Sequence, residues 1–551
     1  MGKTQLDYVY EFEKKKGSAV WFVQPMGGGV VKEITWAEAL DEARRMATHL
    51  KSLGYPDRSQ IALFSKNTAW WLIADLAIWM AGHVSVPLYP TLTANTIRQI
   101  LEHSEAKLVL VGKLDGFAEM EPGIPEGLPR ISMPLAPKMS APTWDEIIKK
   151  TEPTVGSPTR ESSDLATIIY TSGTTGVPKG VMHSFDTMCA SRRVHAVLEM
   201  SEDDRMLSYL PLAHAFERTI VETSTFTQGF KVYFAESLDT FVKDIQRAQP
   251  TIFASVPRLW LKFYQGVTAK MPEKRLKTLL KIPIVKGIIG KKIRAGLGMA
   301  NVRYGITGSA PIPPELLAWY RSIGLELLEG YGLSENFSYS HVNRPGNLKV
   351  GTVGVNNPDV ETKISPEGEV LVKGPCTMLG YFKAPELTAE VIDKEGFLHT
   401  GDRGVVDSEG FLKITGRVKE LFKTSKGKYV APAPIENRLL AGGTIELCCV
   451  QGIAMPQPYA VIVLSEQHRK IAAAPEGKAE VEQALKSHMD QINAELDQHE
   501  QLELLVVEGA PWTIENGMLT PTLKVKRAMI EEKYAKKAEG WYAERKTVVW
   551  L

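Results

Sequence analysis

The chain has 551 residues, 44% of them hydrophobic and 23% charged. That excludes disorder, a collagen-like repeat and a disulfide-built mini-protein, and leaves room for roughly three or four globular units. Its 65 basic and 64 acidic residues almost cancel, to a formal net charge of +1, so it lacks the basic excess of a nucleic-acid binder.

The first residues, Met1-Gly2-Lys3-Thr4-Gln5-Leu6, carry no apolar signal-peptide core, and Leu6 breaks the myristoylation pattern. Thr35-Trp36-Ala37-Glu38 spells a capping box that opens a helix reaching about residue 50. Strands are expected at 61–64, 84–88 and 108–111, with helices at 67–81 and 93–103 between them. The stretch 68–90 is the most apolar of the chain. Asp75, Gly82, His83 and Pro87 interrupt it, so it reads as a buried helix followed by a strand, not as a membrane span. Alternating strand and helix predicts βαβ units and a parallel sheet.

Residues 112–160 are rich in Pro, Gly and Met and read as a loose connection around a helix at 144–149. Strands resume at 165–170, 205–210, 231–234 and 252–256. Between 270 and 294, nine Lys and Arg side chains meet one acid, Glu273, with Leu and Ile interleaved. Such a segment is either a solvated helix face or a basic amphipathic surface for anionic lipid or a phosphorylated ligand.

After residue 350 short strands with glycine turns (360–364, 369–372, 404–406, 411–414) predict a small β subdomain. Beyond Gly416, strands at 448–451, 460–464 and 502–507 and a helix at 478–496 predict a separate α+β lid. The expected fold is therefore α/β: a large N-terminal domain, 1–416, of two β/α subdomains plus a small β subdomain, and a small mobile α+β C-terminal domain, 417–551. The cysteines, Cys189, Cys376, Cys448 and Cys449, have no metal-ligand spacing, and only His183 lies near one. They read as buried reduced thiols in a cytoplasmic protein.

The strongest chemical signal is Tyr170-Thr171-Ser172-Gly173-Thr174-Thr175-Gly176-Val177-Pro178-Lys179-Gly180, directly after an apolar strand. Its glycines let the backbone fold tightly and aim N–H groups inward, while Ser/Thr hydroxyls and Lys179 add donors. This is the make-up of a polyphosphate cradle, though without the Walker spacing of a P-loop.

Further motifs follow in order: Gly308-Ser309-Ala310-Pro311, Gly330-Tyr331-Gly332-Leu333-Ser334-Glu335, Thr400-Gly401-Asp402, Gly416-Arg417-Val418-Lys419-Glu420 and a late Lys524. The set resembles the adenylate-forming superfamily of acyl-CoA synthetases, luciferases and peptide-synthetase adenylation domains. Pro211-Leu212-Ala213-His214-Ala215-Phe216-Glu217-Arg218, Val256-Pro257-Arg258-Leu259-Trp260 and the segment around Lys524 resemble the long-chain fatty acyl-CoA synthetases within it.

The resemblance implies a two-step ligase. A fatty acid carboxylate attacks the α-phosphorus of ATP, giving acyl-AMP and pyrophosphate, and the thiol of coenzyme A then takes the acyl group. It implies that Thr171, Ser172, Gly173, Thr174, Thr175, Gly176 and Lys179 hold the β- and γ-phosphates. Glu335, with Thr174, is implied for Mg²⁺, a hard cation that prefers oxygen ligands and phosphate. Ser334 stands where the superfamily often has Thr. Gly308, Ser309, Ala310, Gly330 and Gly332 would wall the adenine, on which Tyr331 stacks. Asp402 would accept from the ribose hydroxyls, and Arg417 would contact ribose or phosphate.

By the same resemblance Lys524 bridges the carboxylate and the α-phosphate as negative charge accumulates. Lys419 marks a hinge, within 417–420, about which the C-terminal domain turns between half-reactions. The loop 424–429 would then approach the pantetheine. His214 reads either as a packed histidine or as a gate on the acyl and thiol path, and Trp260 and Phe216 either as core or as tunnel lining. Other readings keep the fold and change the chemistry: an acyl-AMP ligase, a ligase for aryl or other acids, or a non-catalytic acyl-adenylate binder. No carrier domain is evident after Lys524. The expected location is cytoplasmic, with peripheral membrane contact through 270–294.

Overall fold

The computed structural model describes residues 2–551 except 173–177, 272, 515, 521 and 522. Its largest sheet has seven strands in the order 380–381, 178–184, 165–172, 84–88, 60–64, 108–111 and 130–132. The strands from 165–172 to 130–132 run parallel, as alternating strand and helix requires. The strand Pro178–Ser184 instead returns antiparallel to Leu165–Ser172. Leu165–Ser172 and Pro178–Ser184 are therefore paired as a hairpin.

The helix Ala69–Met80 lies against this sheet and is buried along its whole length, as a helix apolar on every side must be. Thr68 caps it, accepting from Trp71 N. The preceding Asn67 donates from Nδ2 to Ser208 Oγ at 2.8 Å and to Leu210 O at 2.7 Å. Asp75, in the middle of the helix, pairs with Arg218, and both are fully buried. Arg218 also donates from Nε to Glu222 Oε2 at 2.6 Å and from Nη1 to Thr167 Oγ1 at 2.7 Å. Burial pushes the Glu222 carboxyl well above its usual range, which keeps the net charge of the buried group low. The network sits where the backbone widens into a π-type turn, Arg218–Thr223.

A second sheet joins 30–35, 20–27, 231–234 and 205–208, and a third joins 252–255, 304–307, 326–331, 341–342 and 355–356. In the third sheet 252–255, 304–307 and 326–331 are parallel. A small antiparallel sheet of 361–364, 369–373, 398–406 and 412–417 follows. The last sheet, 445–451, 459–464, 504–507 and 548–550, carries an apolar cluster on each face. Arg258, on the helix Pro257–Lys270, pairs with Glu446 of this sheet, and Gln265 Nε2 donates to Gly443 O at 3.3 Å.

Trp260 is fully buried among Phe253, Phe263 and Tyr320, so it is core. The basic stretch is two helices, Glu273–Leu280 and Pro283–Gly296. Pro283 fits the first turn of a helix and not its middle, so it starts the second. All four cysteines are buried and unpaired. No helix among the described residues is long and apolar enough to cross a membrane.

Candidate active site

The hairpin register places Thr171 opposite Lys179 and Tyr170 opposite Gly180, at the base of the glycine-rich loop. Gly173, Thr174, Thr175 and Gly176, expected to cradle phosphate, lie outside the described residues. Lys179 Nζ stands 5.2 Å from the centroid of the Tyr381 ring. Tyr381 Oη donates to Glu335 Oε1 at 2.8 Å, and Met378 N donates to Glu335 O at 2.8 Å. His183 Nε2 contacts Ser334 O at 2.7 Å. Burial drives this imidazole down to about 4, so near neutral pH its single ring proton is the donor to that carbonyl. The Ser334–Asn336 turn is thus clamped from two directions with the Glu335 carboxylate oriented.

Gly308, Ser309 and Ala310 follow the strand Tyr304–Thr307, and Gly330 and Tyr331 close the neighbouring strand Glu326–Tyr331. Both groups lie at the carboxyl ends of parallel strands, where ligands of α/β sheets gather. Gly332 is fixed by a close passage: a Cβ there would stand 2.6 Å from Ser338 Cα. A narrow cavity of about 40 Å³ opens here, bordered by Phe216, Thr219, Ile220, Gly308, Tyr331 and Tyr339.

Asp402 and Arg417 are opposite each other in adjacent antiparallel strands. Arg417 Nε donates to Asp402 Oδ1 at 2.9 Å, and Tyr331 Oη donates to Oδ2 at 2.6 Å. Burial first, then the Asp402 charge, push the Tyr331 phenol well up, so it stays a donor. A carboxylate offers about four lone-pair sites, so two remain on Asp402 for hydroxyls.

Lys524 N donates to Thr520 Oγ1 at 3.0 Å, and Thr520 N donates to Lys524 O at 2.8 Å. The residue is exposed to solvent. Its ammonium is held below the usual lysine range, first by desolvation, then by Arg417, with Asp402 and Glu335 opposing. It is therefore within electrostatic reach of all three charged groups named from the sequence.

His214 caps the short helix Ala215–Glu217, and its Nδ1 accepts from Phe216 N at 3.0 Å. Desolvation, with Lys524 adding to it, pushes its imidazole down to about 3. It is a neutral ring carrying its proton on Nε2, suited to donating a hydrogen bond and unsuited to storing charge. Behind it, Glu217 accepts from Ser208 Oγ at 2.8 Å and Tyr209 N at 3.1 Å, and burial raises its carboxyl to about 8.

Lys419 is exposed in the short turn Val418–Glu420. The loop 424–429 is exposed at 425–429. Among the described residues no group of three or more His, Cys, Asp or Glu side chains can hold a metal. A lone Glu335 fits Mg²⁺ in the manner usual for nucleotide enzymes, where one or two carboxylates share the ion with substrate phosphates and water. Sequence reasoning missed Tyr381, His183 and Asn67. Each acts through a partner 46 to 151 positions away, and no local pattern announces it.

A family model described as "AMP-binding enzyme" matches residues 11–382, and one described as "AMP-binding enzyme C-terminal domain" matches 420–546. The chain is 32% identical to Long-chain-fatty-acid–CoA ligase FadD15 of Mycobacterium bovis, over 97% of this chain and 96% of that protein. It is 30% identical to the peroxisomal long chain acyl-CoA synthetase 6 of Arabidopsis thaliana, over 94% and 82%. Among solved structures, the adenylation domain of a carboxylic acid reductase from Segniliparus rugosus, in complex with AMP and a co-purified carboxylic acid, superposes with a TM-score of 0.82 at 22% identity. That match covers 99% of this chain and 95% of the other. The anthranilate CoA ligase AuaEII gives 0.79 at 20%, covering 98% of both.

Proposed function

The chain belongs to the AMP-binding enzyme family, and on that premise we propose that it is an AMP-forming long-chain fatty acid–CoA ligase. The observation that carries the proposal is the charge relationship of Lys524, on the C-terminal part, to Asp402 and Glu335 of the preceding part and to Arg417 at the boundary between them. A mobile cation facing a fixed array of charges is what adenylation needs, because the reaction turns on stabilising developing charge more than on an acid or base.

In the first half-reaction the substrate carboxylate attacks the α-phosphorus of ATP and pyrophosphate leaves. Lys524 bridges the two anions that must approach each other. Thr171 and Lys179, with the rest of the glycine-rich loop, hold the β- and γ-phosphates. Asp402 accepts from the ribose hydroxyls, Arg417 steadies ribose or phosphate, and Tyr331 and the Gly308-Ser309-Ala310 segment enclose the base. Glu335 would hold Mg²⁺, which neutralises phosphate charge when bound.

In the second half-reaction the coenzyme A sulfur attacks the acyl carbonyl carbon and AMP leaves with the acyl–phosphate oxygen. We assign the chain a hinge at 417–420, centred on Lys419, between domains 1–416 and 417–551. Turning there withdraws Lys524 and brings in the loop 424–429. His214, neutral and donating, lines the thiol path as a gate. The cavity beside Phe216 and Tyr331 receives the start of the acyl chain. The buried unpaired cysteines fit a reducing, cytoplasmic setting.

The test is pyrophosphate release with ATP and Mg²⁺ across acids from acetate to oleate, with and without coenzyme A. Release that rises towards the long acids, with a coenzyme A-dependent thioester, is the expected result. Release without thioester would replace the ligase with an acyl-AMP-forming enzyme serving another acceptor. Silence with every fatty acid, in protein that binds ATP, would overturn the substrate assignment and direct the search to aromatic acids.

A further inference from the structure

Soon after Lys524 the helix Arg527–Ala543 begins. Arg527 Nη2 donates to Glu436 Oε1 at 2.7 Å, and its Nη1 donates to Val450 O at 2.7 Å. Glu436 Oε1 also accepts from Val450 N at 2.8 Å. Glu436 belongs to the helix Pro432–Ala441 and Val450 to the strand Ile445–Gln451. One guanidinium thus fastens the segment behind Lys524 to a helix and a strand at once. Val525 bridges Leu519, and Lys526 N donates to Met518 O at 2.9 Å, so little slack separates Lys524 from this anchor.

One donor of the same guanidinium is left over. Arg527 Nε is buried and has no hydrogen-bond partner among the described residues. Glu420 Oε2 lies 3.8 Å from it. Glu420 ends the turn Val418–Glu420 and is part of the hinge assigned above. An unpaired buried donor is costly, and the planar guanidinium offers Nε in a fixed direction. A charge-assisted bond spans about 2.7–2.9 Å, so a shift of about 1 Å at Glu420 completes it. Glu531, one helical turn beyond Arg527, shares this cluster: burial first raises its carboxyl, with Arg527 lowering and Glu420 raising it.

We propose that Arg527 is a positioning residue that joins Lys524 to the hinge. Its bonds to Glu436 and Val450 hold the Lys524 segment in both poses. Its Nε closes on Glu420 when the domain turns for thioester formation. Withdrawal of Lys524 and rotation at the hinge are then one event. The inference rests on the two-step ligase reading and adds the ion pair that forms in the second pose.

The experiment assays two half-reactions of the full chain separately: acyl-AMP formation from ATP, and thioester formation from supplied acyl-AMP and coenzyme A. Glu420→Gln removes the charge at the hinge and leaves the anchor to Glu436 and Val450 in place. It should slow thioester formation by about fivefold and acyl-AMP formation by about twofold at most. Arg527→Lys keeps the charge but has no donor at the Nε position. It should slow the same step, and the double variant should lose no more than the worse single one. Glu531→Gln, a charge change in the same cluster away from the hinge, should keep the parent's ratio of the two rates. Equal slowing of both half-reactions by Glu420→Gln, or an unchanged ratio, overturns the proposal. So do additive losses in the double variant, or the same change of ratio in Glu531→Gln. If Arg527→Lys does not fold, Glu420→Gln and Glu531→Gln decide alone. A parent that performs neither half-reaction with any acid defeats the ligase reading instead, so the two failures are told apart.

Discussion

Tyr381 gives its phenolic hydrogen bond to Glu335 at 2.8 Å while its ring lies 5.2 Å from the Lys179 ammonium. One aromatic side chain thus sets a carboxylate and a lysine in fixed relation at the phosphate end of the cleft. Tyr381→Phe keeps the ring and removes the donor. A hydrogen bond to a charged group contributes about 1.5–3 kcal/mol, so acyl-AMP formation should fall by roughly tenfold or more and need more Mg²⁺. Rates measured across a Mg²⁺ series check this; an unchanged rate and Mg²⁺ requirement would leave the hydroxyl without a role.

Lys524→Ala should abolish acyl-AMP formation and leave thioester formation from supplied acyl-AMP largely intact. Assaying the two half-reactions separately decides it. Equal loss in both would defeat the assigned role.

Lys419→Pro should spare the first half-reaction and cripple the second, because a fixed φ at the turn Val418–Glu420 removes rotation there. An overall rate equal to that of the parent would remove the hinge from this position.

Arg258 pairs with Glu446, and Gln265 donates to Gly443 O at 3.3 Å, so the helix Pro257–Lys270 grips the C-terminal sheet in this pose. Arg258→Ala should shift the balance between poses, slowing acyl-AMP formation several-fold while sparing or speeding thioester formation. Stopped-time assays of each step give the ratio. No change in the ratio would show that the grip does not bias the poses.

Stability should peak near neutrality for reasons that can be assigned. His183, His195 and His341 are pushed down to about 4 and His214 to about 3, each chiefly by burial. As pH falls below about 6.5 the unfolded chain takes up protons at these four rings before the folded one does, so stability is lost on acidification. Glu217 and Glu329 are raised to about 8, again by burial. Their contribution is full below the unfolded carboxyl range and is lost as pH rises through about 8. With Glu222 also raised by burial, the four imidazoles and the three carboxyls act in opposite directions, so stability rises from about pH 4.5 and falls above about pH 6. Denaturant unfolding at a series of pH values tests this, and Glu217→Gln should flatten the alkaline limb. A stability that rises steadily through pH 8 would contradict it.

Local rules carried far along this chain. The Thr35–Glu38 capping box forms as spelled, with Glu38 N donating to Thr35 Oγ1 at 3.2 Å, and the strands 84–88 and 108–111 have the expected bounds. Local rules failed where an antiparallel return followed a strand already committed to a parallel sheet. Asn67 looked like the cap of the helix that Thr68 in fact caps, because its real partners, Ser208 and Leu210, are not neighbours in sequence. In the candidate site, ordered motifs named the charged groups, but Tyr381 and His183 do their work by orienting others, and orientation has no sequence period.

The narrow cavity beside Tyr331, bordered by Phe216, gives the proposed ligase a particular way of measuring length. An acid too short to reach past this constriction gains nothing from it, and a longer one must first part Phe216 from its neighbours. Each further methylene then adds about 0.8 kcal/mol of burial. Selectivity on this scheme is a threshold and not a slope: affinity stays flat through the short acids and climbs once the tail can hold the walls open.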